Sequence, residues 1–140
     1  MVNQFGNYTL YIALLASLYL IFRSLITVNS SKKVLDGKIF SIVSVQTLMI
    51  LISFLSLIYG FVISDFSNET VFNNSHSTKP IFYKISGTWG NHEGSMLLWL
   101  SMLSVCGFLF SLTKNIDLKF KQITLIIQSL LHVLFGLFIV

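Results

Sequence analysis

Four stretches without a single Lys, Arg, Asp or Glu, residues 1–22, 39–64, 94–113 and 122–140, alternate along the chain with short segments that hold all the charge. Each stretch is close to the roughly 20 residues that carry a helix across about 30 Å of hydrocarbon. Hydrocarbon offers no partner to peptide N–H and C=O groups, so a spanning segment must satisfy them internally, as a helix or within a closed barrel. The apolar residues run on without the strict alternation of a barrel strand. This predicts helices near 5–26, 39–64, 85–113 and 122–140, with a longer outer loop at 65–84. The expected fold class is all-α: one polytopic membrane module, residues 1–140, with four transmembrane helices. Helices of a soluble bundle would need polar faces that these runs lack.

Composition agrees and narrows the chemistry. Apolar residues make up 54% of the chain and charged residues 10%, against about 25% charge in soluble domains, and the mean hydropathy is +0.81. The lipid bilayer is therefore the first expected partner. The single cysteine, Cys106, lies in the third stretch, which excludes an intrachain disulfide, and there is no CxxC pair or cysteine cluster. No metal site and no catalytic residue is assigned on this basis. Phe, Ile, Leu, Ser, Asn and Lys are abundant, while alanine occurs only as Ala13 and Ala16 and proline only as Pro80. The abundant types have AT-rich codons, a pattern of organellar genomes and of AT-rich bacteria. A targeting peptide carries basic residues ahead of its apolar stretch, whereas the first basic residue here, Arg23, follows the first run. That run is expected to be a retained span. The expected location is the mitochondrial inner membrane, with an organellar gene, or alternatively a bacterial plasma membrane.

The basic residues also orient the chain. Arg23, Lys32, Lys33 and Lys38 follow the first stretch, and Lys114, Lys119 and Lys121 separate the third from the fourth; only Lys79 and Lys84 lie in the longer loop. The positive-inside rule then puts the first group on the matrix or cytoplasmic side, and both termini and the longer loop outside. The formal net charge of +4 is this topology signal, and no nucleic-acid partner is implied. Small residues at spacings of three and four, Ser53, Ser56, Gly60 and Ser64 on the second helix and Ser86, Gly90 and Gly94 at the start of the third, mark faces where membrane helices approach closely.

The segment with the most chemical content is Tyr83-Lys-Ile-Ser-Gly-Thr-Trp-Gly-Asn-His-Glu-Gly-Ser-Met-Leu-Leu-Trp99. It sets His92 and Glu93 at a membrane boundary, where ionisable side chains are functional candidates. On a helix, His92, Met96 and Trp99 share one face, and Glu93, Leu97 and Leu100 the next. An imidazole ordinarily titrates near pH 6.5, in reach of proton transfer or ligation. Glu93 is placed to cap N–H groups at the helix start and to complement the helix dipole. Trp89 and Trp99 suit interface depth. The alternative for the whole group is structural: these residues fix where the helix enters the membrane.

This segment resembles the Trp-Gly-x-His-Glu-Gly-Ser-x-Leu-Leu-Trp stretch of the cytochrome c maturation haem-lyase family, the F component (CcmF). The likeness extends to Phe5-Gly6-Asn7, to the Phe61-Val-Ile-Ser-Asp-Phe66 exit of the second helix, to Val71, Asn74 and Ser75, and to Tyr83-Lys84. It covers essentially the whole chain, as the first part of a family whose members are several times longer. What the resemblance implies is a membrane subunit or fragment of the machinery that attaches haem to the CxxCH cysteines of apocytochrome c. Its implied partners are the remaining parts of the haem lyase and other maturation proteins, with apocytochrome c met indirectly. Haem would be handled by the complex. The family's tryptophan-rich haem-handling segment has no counterpart among these residues, which contain two tryptophans, so no haem-ligating residue is carried over. A split gene or a shortened product would account for the difference. The candidate functional motif is thus Trp89, Gly90, His92, Glu93, Gly94, Ser95 and Trp99.

Other residues read more plainly. His132 lies deep in the fourth helix, one turn from Gln128 and Gly136, and a structural hydrogen bond to Gln128 or a neighbouring helix is favoured over haem ligation. His76, Asp65, Glu69 and Lys79 read as solvated loop residues. Asn68-Glu-Thr70 and Asn73-Asn-Ser75 would carry sugar only in a secretory-pathway membrane. The alternative function is a small hydrophobic structural or proton-translocating subunit of a respiratory complex.

Overall fold

The computed structural model describes residues 2–28, 37–114 and 116–139. It consists of helices α1 (Val2–Val28), α2 (Gly37–Ile63), α3 (Glu69–Asn74), α4 (Ile81–Gly87), α5 (His92–Leu112) and α6 (Leu118–Ile139). Four of them, α1, α2, α5 and α6, are long and apolar enough to cross a membrane. At 1.5 Å per residue, their 21 to 27 residues reach about 30–40 Å. The chain is an all-helical membrane protein among its described residues.

The spans form a ring. Helix α1 packs on α2 and α6, and α5 closes the circle by packing on the same two. Three layers fill the inside. Leu10, Ala13, Ile50, Leu97 and Leu100 make one apolar layer, and Leu20, Ile39, Val43 and Leu125 another. Between them lies a polar layer. Gln46 Nε2 donates to Ser17 Oγ at 2.8 Å and stands 2.9 Å from His132 Nδ1. Thr47 Oγ1 donates to the Ser104 carbonyl at 3.2 Å and Gln128 Nε2 to the Leu103 carbonyl at 2.9 Å. The outside is the reverse: Leu15, Phe22, Leu55, Trp99, Leu109 and Leu137 are exposed. An apolar exterior around a polar interior suits a bundle in hydrocarbon, where hydrogen bonds and close packing, rather than apolar burial, join the helices.

Close packing depends on small residues at crossing points. A Cβ on Gly6 would lie 2.8 Å from Ser56 Oγ, and one on Gly107 only 1.8 Å from the Gln128 side chain. The Ser53–Ser56 part of the expected small-residue stripe does face a neighbour, and Gly60 sits against Val71 of α3.

Boundaries differ from the sequence expectation where local polar groups decide them. The third span starts at His92 rather than 85, because residues 88–91 form a turn that separates α4 from α5. The pair Gly90 and Gly94 therefore does not lie on one helix. The fourth span starts at Leu118 rather than 122: Lys121, 4% exposed, is tolerated because its amine donates to the Thr113 carbonyl at 2.7 Å, just past the end of α5. The expected loop at 65–84 holds α3 and most of α4. Lys32 and Lys33, half of the first basic group, lie outside the described residues.

Candidate functional site

The motif occupies the end of the ring formed by the start of α1, the end of α2, helices α3 and α4, the start of α5 and the end of α6. Helix α2 stops in a left-handed residue, Ser64 (φ 57°). The Asp65 N–H donates to the Gly60 carbonyl at 2.9 Å and the Ser64 N–H to that of Phe61 at 3.2 Å, which closes the last turn. Asp65 then accepts from the N–H and the hydroxyl of Ser67, at 3.2 and 2.5 Å. Those two bonds favour its charged form and hold its carboxyl below the usual carboxylate range. Asn68 caps α3 by accepting from the Thr70 N–H at 2.8 Å. Two lysines tie the segment down: Lys79 donates to the Asn74 carbonyl at 2.9 Å and Lys84 to Ser64 Oγ at 2.6 Å.

The turn from α4 to α5 is organised by Asn91. Its Oδ1 accepts from the Gly94 N–H at 2.7 Å, and its Nδ2 donates to the carbonyls of Gly87 and Thr88 at 3.0 and 3.2 Å. Asn91 is thus the N-cap of α5, a role the sequence reading gave to Glu93. Thr88 is fully buried. Its carbonyl lies so close to Gly94 that a Cβ there would come within 1.6 Å of the oxygen. Gly94 is required by this approach, not by a crossing of two spans. Ser95 closes the first turn, donating from its hydroxyl to the His92 carbonyl at 3.0 Å.

With the cap supplied by Asn91, His92 and Glu93 are left free. Both are exposed, and neither side chain makes a hydrogen bond or ion pair among the described residues. They diverge. Glu93, with Leu97 below it, lines a cleft of about 310 Å³ at the end of the ring. His92, Met96 and Trp99 follow the neighbouring face, where Trp99 is 69% exposed. Trp89 and Gly90 are exposed in the turn. The structure therefore gathers the motif at one end but does not bring His92 and Glu93 to one point.

His132 is in the polar layer, far along the ring from this end. Its side-chain partner comes from a neighbouring helix, Gln46 of α2, while the Gln128 amide is committed to the Leu103 carbonyl, and no side chain pairs with its Nε2. None of the cavities described between the helices is lined by a histidine, and the cleft at the motif presents carboxylates, which repel propionates. These cavities thus offer no histidine to a haem. Among the described residues, no group of three or more His, Cys, Asp or Glu side chains gathers to hold a metal ion. Asn91 and the polar layer were the site features that sequence reasoning missed.

These observations define a polytopic membrane protein with a polar-cored helical ring and one end shaped by a capped, motif-bearing turn. The chain belongs to the cytochrome c-type biogenesis family that includes CycK and CcmF. It is 39% identical over 140 residues to the cytochrome c-type biogenesis protein CycK of Bradyrhizobium diazoefficiens, covering 99% of this chain and 21% of that protein. To the cytochrome c-type biogenesis protein CcmF of Haemophilus influenzae it is 34% identical over 140 residues, 99% of this chain and 22% of that protein. A probable cytochrome c biosynthesis protein of Daucus carota is 48% identical over 60 residues, 43% of this chain and 10% of that protein. The chain spans about a fifth of the length of the full-coverage relatives. No family model and no solved structure matches it.

Proposed function

We propose that this chain provides a membrane part of the haem lyase machinery that attaches haem to apocytochrome c. The observation that carries the reading is the whole-chain match to CycK at 39% identity. A respiratory-subunit role has no comparable support. Because the chain corresponds to about a fifth of those relatives, haem attachment itself is assigned to family regions outside these residues. The partners are those regions, other maturation proteins and, indirectly, apocytochrome c. The AT-rich residue usage fits an organellar gene and a mitochondrial inner membrane, whereas the bacterial origin of the full-coverage relatives favours the alternative, a bacterial plasma membrane.

Within this role, Trp89, Gly90, His92, Glu93, Gly94, Ser95 and Trp99 form the working end. Gly94 and Ser95 shape the start of α5, Trp89 and Trp99 hold it at interface depth, and His92 and Glu93 act chemically, by exchanging a proton or contacting a ligand or partner. Support comes from Asn91: with the cap bonds already made, the two ionisable side chains have no structural hydrogen bond to lose. Glu93→Gln and His92→Asn are each expected to abolish holocytochrome c formation while the chain accumulates normally. Normal maturation with both substitutions would refute a chemical role. Co-purification with cytochrome c assembly factors tests the assignment to the machinery separately.

A further inference from the structure

The cleft at the motif end draws its walls from all four spans and from the start of α3. Since those spans pack in a closed ring, an opening lined by all of them lies on the ring axis and faces water rather than lipid. Its volume, about 310 Å³, is at the lower end of the roughly 300–1,000 Å³ of small-ligand sites. Leu57 and Leu97 contribute an apolar wall, and Glu69 and Glu93 bring carboxylates from two separate elements. Neither carboxylate makes an ion pair or side-chain hydrogen bond among the described residues. Both lysines of this end are committed elsewhere, Lys79 to the Asn74 carbonyl and Lys84 to Ser64 Oγ. Ser53, also part of the lining, is only 4% exposed, and its hydroxyl has no hydrogen bond among the described residues. That hydroxyl is left to whatever fills the cleft.

Two carboxylates repel an anion and disfavour a purely apolar guest, which would strip their water. A cation with a short apolar stem meets every group. A planar guanidinium is best matched by one carboxylate edge-on, whereas a rotatable ammonium has three independent donors. Glu69, Glu93 and Ser53 offer acceptors from three elements. We propose that the cleft receives a lysine side chain of a partner polypeptide from the aqueous side, its ammonium held by Glu69 and Glu93 and its stem laid along Leu57 and Leu97. This site does not depend on the chain acting in cytochrome c assembly.

The test uses the full chain in phosphatidylcholine nanodiscs, titrated with an acetyl-Gly-Ser-Lys-Ser-Gly-amide peptide while the amide signals of Gly6 and Gly94 are followed by NMR. Saturable shifts at both glycines are expected, with none from the same peptide carrying norleucine or Nε-acetyl-lysine. Glu69→Gln and Glu93→Gln should each weaken binding roughly two- to fivefold, as exposed ion pairs do, with unchanged helical circular dichroism. Raising salt from about 20 to 200 mM should weaken it further. Equal binding of the acetyl-lysine peptide, unaltered binding in both Gln variants, or no saturable shift would overturn the proposal. So would loss of peptide binding in discs containing phosphatidylethanolamine, which would give the site to a lipid amine.

Discussion

Replacing Gly94 by Ala sets two effects of opposite sign against each other. Gly94 is the third residue of α5 after its cap, Asn91. By intrinsic propensity, alanine there should stabilise the helix by about 1 kcal/mol. The added methyl, however, would sit 1.6 Å from the Thr88 carbonyl oxygen and 2.8 Å from its carbon, and this is backbone rather than a flexible side-chain end. Relieving the overlap takes a movement of about 1.8 Å, from 1.6 Å to the 3.4 Å of ordinary contact. Overpacking of this kind costs about 1–3 kcal/mol. The carbonyl that must move also accepts from Asn91 Nδ2, so the cap, worth about 0.5–2 kcal/mol, is strained with it. The net expectation is a loss of about 0.5–4 kcal/mol.

The assay is reversible unfolding of the purified chain in mixed micelles of increasing dodecyl sulfate fraction, followed by circular dichroism. Asn91→Ala should cost about 1 kcal/mol on its own. The double substitution should fall short of the sum, because both single changes act on the same cap. A Gly94→Ala chain as stable as the parent, or more stable, would mean that propensity wins and that the 88–94 turn does not have this geometry.

Three further outcomes follow from the structure. Gln46→Leu leaves the Ser17 hydroxyl and His132 Nδ1 without their shared partner; the loss should be about 1–2 kcal/mol, in line with interhelical bonds in membranes, and an unchanged unfolding midpoint would deny the polar layer any role in holding the ring. Asp65 has a lowered pKa in the folded chain, so its contribution is present above its unfolded pKa and is lost as pH falls through the folded value; unfolding below about pH 4 should show a pH dependence that Ser67→Ala reduces, and an identical profile in that variant would contradict it. For orientation, single cysteines at the exposed positions His76 and Lys119, in a Cys106→Ser background, should react with impermeant reagent from opposite sides, with position 76 outside; reaction of position 76 from the matrix or cytoplasmic face would invert the topology.

The spans were legible because hydrocarbon makes a simple demand, about 20 residues without charge, and every charge-free stretch answers it. The ends were less so, since caps rather than hydropathy decide them. Asn91 carried a readable signal, an Asn just ahead of an acidic residue and an apolar run, but the Trp-Gly-x-His-Glu-Gly pattern drew attention to the ionisable pair instead. The structure reverses that emphasis: the neutral amide does the structural work, and this leaves Glu93 available to the cleft. The polar layer was also present in the spacing. Ser17 and Ser24 are seven apart on α1, Gln46 and Ser53 seven apart on α2, and Gln128, His132 and Gly136 follow each other every fourth residue on α6. In a water-soluble helix such a line would mark the outside. In lipid the same periodicity marks the inside, because lipid competes for apolar contact and leaves only hydrogen bonds and close approach to distinguish one helix face from another. What no single helix reveals is register, the fact that Ser17, Gln46 and His132 arrive at one level. That is fixed by the ring as a whole, through crossings such as Gly6 on Ser56 and Gly107 on Gln128, where the absence of one methyl group sets how deeply two helices meet.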